Sequence, residues 1–253
     1  DRTRQIIAQL YDAIAAAGLS DKVSFGLVAY RNSIAKTPGL EYVSRIYANF
    51  DEGQDREQFL DLIQNVQDTK ISSHSFNEDA FAGIMDALEK MDWSDYGARI
   101  LFLITDAGSL RGDDPFSATG MNEAQILAAA QRQQVKIFVL HLLTPQGVKN
   151  HASAENQYRQ LSTEVNPRIG DLYVPIPTGD VDRFGKEMAR LASVYTRLVR
   201  DVAAGKPLNP PPPAKPITDP QAKAEALGYA IQMDFLGRTR NSQAPKVVSA
   251  WVA

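Results

Sequence analysis

Arg99-Ile100-Leu101-Phe102-Leu103-Ile104-Thr105-Asp106 sets five large apolar residues in succession and then stops on a carboxylate. A run that is apolar at odd and even positions alike buries both faces of a strand. Such strands belong to parallel sheets covered by helices on either side. The same reading holds for Val135 to Leu143, ended by Pro145-Gln146-Gly147. Between the two lie a Gly-, Ser- and Asp-rich loop and an Ala-rich helix from about Asn122 to Gln134.

Working upstream, Asp1 to Gly18 carries Ile6, Leu10 and Ile14 at helical spacing, with Gly18 placed to end the helix. Val23 to Tyr30 reads as a strand, and Tyr42 to Phe50 alternates as a second one near a sheet edge. Asp55 to Val66 is a helix, followed by a polar loop from Asp68 to Asn77. The next helix carries Phe81, Ile84, Met85 and Leu88 on one face, with Asn77 or Ser75 as its expected cap and Glu78 and Asp79 in its first turn. Downstream come a helix from Ser153 to Val165 and a short strand from Asp171 to Ile176. Pro175 places that strand at an edge. A long amphipathic helix then runs from Asp180 to Ala204.

Strands alternating with helices require crossover connections. The expectation is therefore an α/β fold over residues 1–205, three-layered and doubly wound around a mostly parallel sheet. Seven of the 14 prolines fall between Pro207 and Pro220, so 206–220 reads as a stiff linker. Residues 221–253 read as an appendage, a helix from Gln221 to Leu236 and a strand cut short, Lys246 to Val252, which either docks on the main domain or begins a further module.

The 253 residues carry 27 Lys+Arg against 30 Asp+Glu, and 44% are hydrophobic, enough for a sizeable core. The slight negative charge argues against a nucleic-acid partner. No uncharged apolar run approaches the ~18–20 residues of a membrane helix. The absence of cysteine excludes disulfides, thiolate metal sites and a cysteine nucleophile. There is no Gly-x-x-x-x-Gly-Lys-Ser/Thr loop, no Gly-x-Gly-x-x-Gly and no Gly-x-Ser-x-Gly elbow. His74, His141 and His151 show no paired metal spacing. His141 falls in an apolar strand and reads as a core residue, whereas His74 and His151 fall in polar stretches and read as solvated.

Asp106 is the most informative residue, because ligands gather at the carboxyl ends of parallel strands. It either offers a hard cation such as Mg²⁺ an oxygen or caps its own turn. The hydroxyl-rich loop Ser72-Ser73-His74-Ser75 offers a neutral oxygen ligand or a simple helix cap. The polar loop from Gly108 to Gly120, carrying Ser109, Arg111 and Asp113, is a rim for partner recognition or an ordinary solvated loop.

Ile104-Thr105-Asp106-Ala107-Gly108, Phe25-Gly26-Leu27-Val28-Ala29-Tyr30-Arg31 and Ser75-Phe76-Asn77-Glu78-Asp79-Ala80-Phe81 together resemble the motifs of von Willebrand factor A domains, in the family's order, from Asp1 to about Ala204. The resemblance implies a binding module and no catalyst. It implies Mg²⁺ in a metal-ion-dependent adhesion site, with Asp106 as third-loop ligand and Ser75 loosely in place of the second-loop threonine. A protein partner's carboxylate would complete the coordination, with Ser109, Arg111, Asp113 and His74 near the contact. The family's Asp-x-Ser/Thr-x-Ser motif follows its first central strand; Asp1-Arg2-Thr3-Arg4-Gln5 is not that motif, so the expected site is incomplete and the expected sheet lacks its first strand.

Arg2-Thr3-Arg4-Gln5-Ile6, Asn77 to Gly83 and Leu227 to Gly237 resemble more narrowly the von Willebrand A regions of bacterial serine/threonine kinases linked to type VI secretion. No kinase signature lies in this chain. The resemblance implies a regulatory region in the periplasm or cell envelope, with a cytoplasmic setting as the alternative. Two other readings stay open. One is a Mg²⁺-dependent phosphoryl-transfer or hydrolase domain using Asp106, Asp113 and Asp114. The other is a metal-independent homodimer formed through the Asp180 helix or the proline-rich tail.

Overall fold

A computed structural model describes residues 2–67, 71, 76–210, 216–238 and 247–252. The elements in chain order are α1 (Arg2–Ala16), β1 (Val23–Tyr30), β2 (Ser44–Ala48), α2 (Arg56–Gln64), α3 (Ala80–Lys90), β3 (Ala98–Thr105), α4 (Glu123–Arg132), β4 (Val135–Leu142), α5 (His151–Leu161), β5 (Tyr173–Ile176), α6 (Val181–Ala203), α7 (Pro220–Arg238) and β6 (Val247–Val252). The strands form one sheet in the order β2-β1-β6-β3-β4-β5. Every neighbouring pair is parallel except β1 with β2. The protein is an α/β fold on a mostly parallel sheet.

The apolar run in β3 explains the layering. Ile100, Phe102 and Ile104 share one cluster with Phe138 and Leu140 of β4, while Leu101 and Leu103 share another with Ile137 and Val139. Alternate residues of one strand thus feed opposite faces. The first face is covered by α1, α2, α6 and α7, through Ile7, Tyr11, Phe59, Phe184 and Leu227. The second is covered by α3, α4 and α5, through Phe81, Ile84, Ile126 and Tyr158. Phe102 stacks on Phe138 with ring centroids 5.4 Å apart, and Tyr195 of α6 stands edge-on to Phe102 at 5.7 Å.

β2 and β5 are the two sheet edges. Pro175 sits on β5, where a missing N–H can be tolerated. Asp180 caps α6 by accepting hydrogen bonds from the backbone N–H groups of Asp182 and Arg183. The apolar stripe of α6 (Phe184, Met188, Leu191, Val194, Leu198) points into the core.

The tail docks on the main domain, the first of its two expected fates. α7 packs on α6, with Lys223 buried and bonded to the carbonyl and, at 3.3 Å, the carboxylate of Asp171 beside β5. Leu208, within the proline-rich stretch, is buried, and its N–H donates to Gln232 Oε1 at 3.0 Å. Most consequentially, β6 is no peripheral strand cut short. It lies at the centre of the sheet, Val247 to Val252 pairing with Val23 to Val28 on one side and with Ala98 to Leu103 on the other. The central position expected to be vacant is therefore filled by residues of the tail.

Candidate functional site at the carboxyl edge

β1, β3, β4 and β5 run parallel, so their carboxyl ends and the segments that follow them share one edge of the sheet. Three of those segments are knitted together by backbone bonds. Asp79 N–H donates to the carbonyl of Arg31 at 3.0 Å, tying the start of α3 to the end of β1. Glu78 N–H donates to the Gly108 carbonyl at 3.0 Å, and Leu110 N–H donates to the Glu78 carbonyl at 2.8 Å. These two bonds form a short parallel bridge that carries Glu78 to the loop after β3.

Amide side chains complete the framework. Asn32 Nδ2 donates to the Asn77 carbonyl at 2.8 Å. Asn150 donates to Asn77 Oδ1 at 2.6 Å and accepts from Gly108 N–H at 2.7 Å. Gln157 accepts from Ser109 N–H at 2.7 Å and donates to the Ser109 carbonyl at 3.1 Å. Gly108 lets these amides close in: a Cβ would stand 3.1 Å from the Asn77 amide oxygen and 3.3 Å from those of Asn150 and Gln157, so they would have to give by a few tenths of an ångström.

Asp106 follows β3 on this edge, half-buried. Burial raises its carboxyl above the usual carboxylate range, with His151 acting in the opposite sense. Glu78 is pushed up to about 7, first by burial and next by the negative charge of Asp106, with Arg31 opposing. The bridge therefore brings two carboxylates within electrostatic reach of one another. Arg31, the cation that acts on Glu78, is engaged elsewhere: it pairs with Glu41, donates to the Gln67 carbonyl at 3.0 Å and lies over the Tyr42 ring at 4.4 Å.

Aromatic and imidazole groups wall the site. Tyr30 donates to the Ile104 carbonyl at 3.3 Å and Tyr158 to the Ala107 carbonyl at 2.5 Å. His141 is fully buried, with Nδ1 2.8 Å from the Tyr173 hydroxyl and its Nε2 without a protein partner. Burial is the main cause that lowers its pKa to about 4, so the ring is neutral. His151 is not the solvated loop residue expected from sequence. It opens α5, its ring meets His141 edge-on at 5.7 Å, and its Nε2 is buried.

The other expected site residues are distributed unevenly. Ser109 is not on the rim: it is 1% exposed, and its hydroxyl accepts from Phe81 N–H at 3.0 Å at the start of α3. The cap of α3 is neither Asn77 nor Ser75 but Asp79, which accepts from Ala82 N–H at 3.3 Å and from Ala118 N–H at 2.7 Å. Arg111 is on the surface, its Nε 3.2 Å from the buried carboxylate of Glu123, and Asp113 is exposed. Asp114 accepts from Phe116 N–H at 2.9 Å and lies 3.7 Å from Lys36. His74 and Ser75 lie outside the described residues. Glu78 was missed as a site residue; the one signal for it was its place two residues before a helix in the loop already under suspicion.

Among the described residues, no cluster of three or more imidazole or carboxylate groups is arranged to hold a metal ion. No helix among them is long and apolar enough to cross a membrane. Comparison with family models, with curated proteins and with solved structures gave no match.

Proposed function

We propose that this chain is a binding module of the von Willebrand A type that recognises a protein partner at the carboxyl edge of its sheet. The observation that carries the reading is the juxtaposition of Glu78 and Asp106, two half-buried carboxylates on a rigid, hydrogen-bonded framework. A mostly parallel sheet with one antiparallel edge strand and helices on both faces is compatible with it.

Mg²⁺ fits this donor set. It commonly takes one or two carboxylates and keeps several waters, one of which a partner's carboxylate can replace. Glu78 and Asp106 would hold it, and the ion would supply a positive centre for an acidic side chain. Arg111 and Asp113 are surface groups on the loop beyond β3, available to a partner. The narrower resemblance extends the proposal to a regulatory region of a type VI secretion-linked serine/threonine kinase in the cell envelope.

The test is thermal melting with and without millimolar Mg²⁺ or Mn²⁺, on the unmodified chain, Asp106→Asn and Glu78→Gln. A cation that binds only the folded state adds about 2.7 kcal/mol at a hundredfold excess over its dissociation constant. The expected result is a raised melting point that either substitution abolishes. An unmoved melting point, or an equal shift in all three proteins, rules out a cation at this pair.

A further inference from the structure

Strand β6 is hydrogen-bonded to two strands that do not pair with each other. Remove it, and the sheet separates into β2-β1 and β3-β4-β5. The vacancy is bounded by Val23–Val28 on one side and Ala98–Leu103 on the other, both parallel to the strand they receive. Few surfaces define an occupant so narrowly, since direction, length and register are fixed on both sides.

The strand that fills this slot follows α7 in the chain. Eight residues, Thr239-Arg240-Asn241-Ser242-Gln243-Ala244-Pro245-Lys246, separate it from α7, and they reach at most ~26–29 Å when extended. Val247-Val248-Ser249-Ala250-Trp251-Val252 itself is apolar and rich in strand-forming residues.

We propose that the slot between β1 and β3 also accepts Val247–Val252 from a second copy of this chain, each copy completing the other's sheet in a closed dimer. Every strand pairing of the single chain recurs in the exchanged form. Only the connection to β6 changes, so the balance is set by hinge strain and protein concentration. The exchange is reciprocal, which closes the assembly at two copies. It is independent of the cation site.

Because the chain has no cysteine, introduced thiols report the exchange without background. Val23 and Val247 are register partners on adjacent parallel strands, spaced ~4.8 Å apart, within the ~4.4–6.8 Å that a disulfide spans. Separately made Val23→Cys and Val247→Cys proteins are mixed, unfolded, refolded together at high concentration and oxidised. Ala98→Cys replaces Val23→Cys as a second reporter, since Ala98 is the partner of Val247 on the other side. The control mixes Val247→Cys with Glu89→Cys, an exposed position on α3.

The expected result is a disulfide-linked pair several-fold above control with either reporter, and a doubled mass for the unmodified chain by light scattering. The proposal is overturned if the mixtures never exceed control while the Val23→Cys/Val247→Cys double variant closes within one chain. It is equally overturned if the double variant does not close and the unmodified chain keeps a single mass. A doubled mass without linkage assigns the dimer to another surface and also overturns it.

Discussion

Glu78 and His141 titrate in opposite senses, and Asp79 and Asp106, both raised by burial, act in the same sense as Glu78. The Glu78 carboxyl rises from 4.5 in the open chain to about 7, so folding takes up a proton and stability falls as pH rises through that interval. The His141 imidazole falls from 6.5 to about 4, so folding expels a proton and stability rises with pH across that interval. Between about 4.5 and 6.5 the two offset each other. Melting temperature followed over that range should climb more steeply with pH in Glu78→Gln than in the unmodified chain, because one of the groups that oppose His141 is gone. A bound cation reverses the logic at Glu78, because a ligating carboxylate must be ionised. Titration calorimetry should find Mg²⁺ binding weaker at pH 6 than at pH 8. Asp106 was legible in the sequence because an apolar strand runs straight into it. Glu78 was not, because its neighbour is fixed by a bridge to Ser109, a contact no local pattern encodes. Ser109 misled for a related reason: hydroxyls belong to surfaces on average, and this one is spent on the Phe81 N–H.

At the scale of elements, the strands were readable from burial alone, since a run apolar on both faces has few other homes. The helix starts were less so. Ser75, Asn77 and Asp79 are all good capping residues within five positions, and the choice fell to Asp79 through a second bond, from Ala118 N–H, that lies far off in sequence. Asp79→Ala should therefore cost more than an ordinary cap, at the upper end of about 0.5–2 kcal/mol, because the bond that ties the Ala118 loop to this helix is lost along with the cap. Denaturant unfolding measures it. Phe102→Ala should cost about 3–5 kcal/mol on the same assay, since it empties a site shared by Phe138 and Tyr195 from two different layers. Gly53→Ala belongs with them: a Cβ there would come within 1.6 Å of the Phe25 carbonyl oxygen, so the loop before α2 must shift away from β1.

At the scale of the whole molecule, the layering followed from the order of elements, whereas the place of β6 did not. Its composition says strand; nothing in it says which gap. Sheet position is a property of all the strands together, and the tail's prolines read as a boundary although the chain crosses them to return to the core. A shortened chain ending at Arg238 should lose the sharp, cooperative thermal transition of the longer one, because its two part-sheets share no hydrogen-bonded strand. Calorimetry of the two chains decides this, the single transition of the longer chain being the reference.

The placement of β6 has a further consequence, for how the protein is made. β3 is complete at Thr105, yet the strand that pairs with its inner side begins at Val247. At about 5–20 residues per second, translation leaves roughly 7–30 s between the two. Throughout that time the nascent polypeptide carries the bare inner margins of β1 and β3, each a template for unwanted pairing on a crowded ribosome. Expression yield should accordingly depend on chaperones that shield strand margins during synthesis.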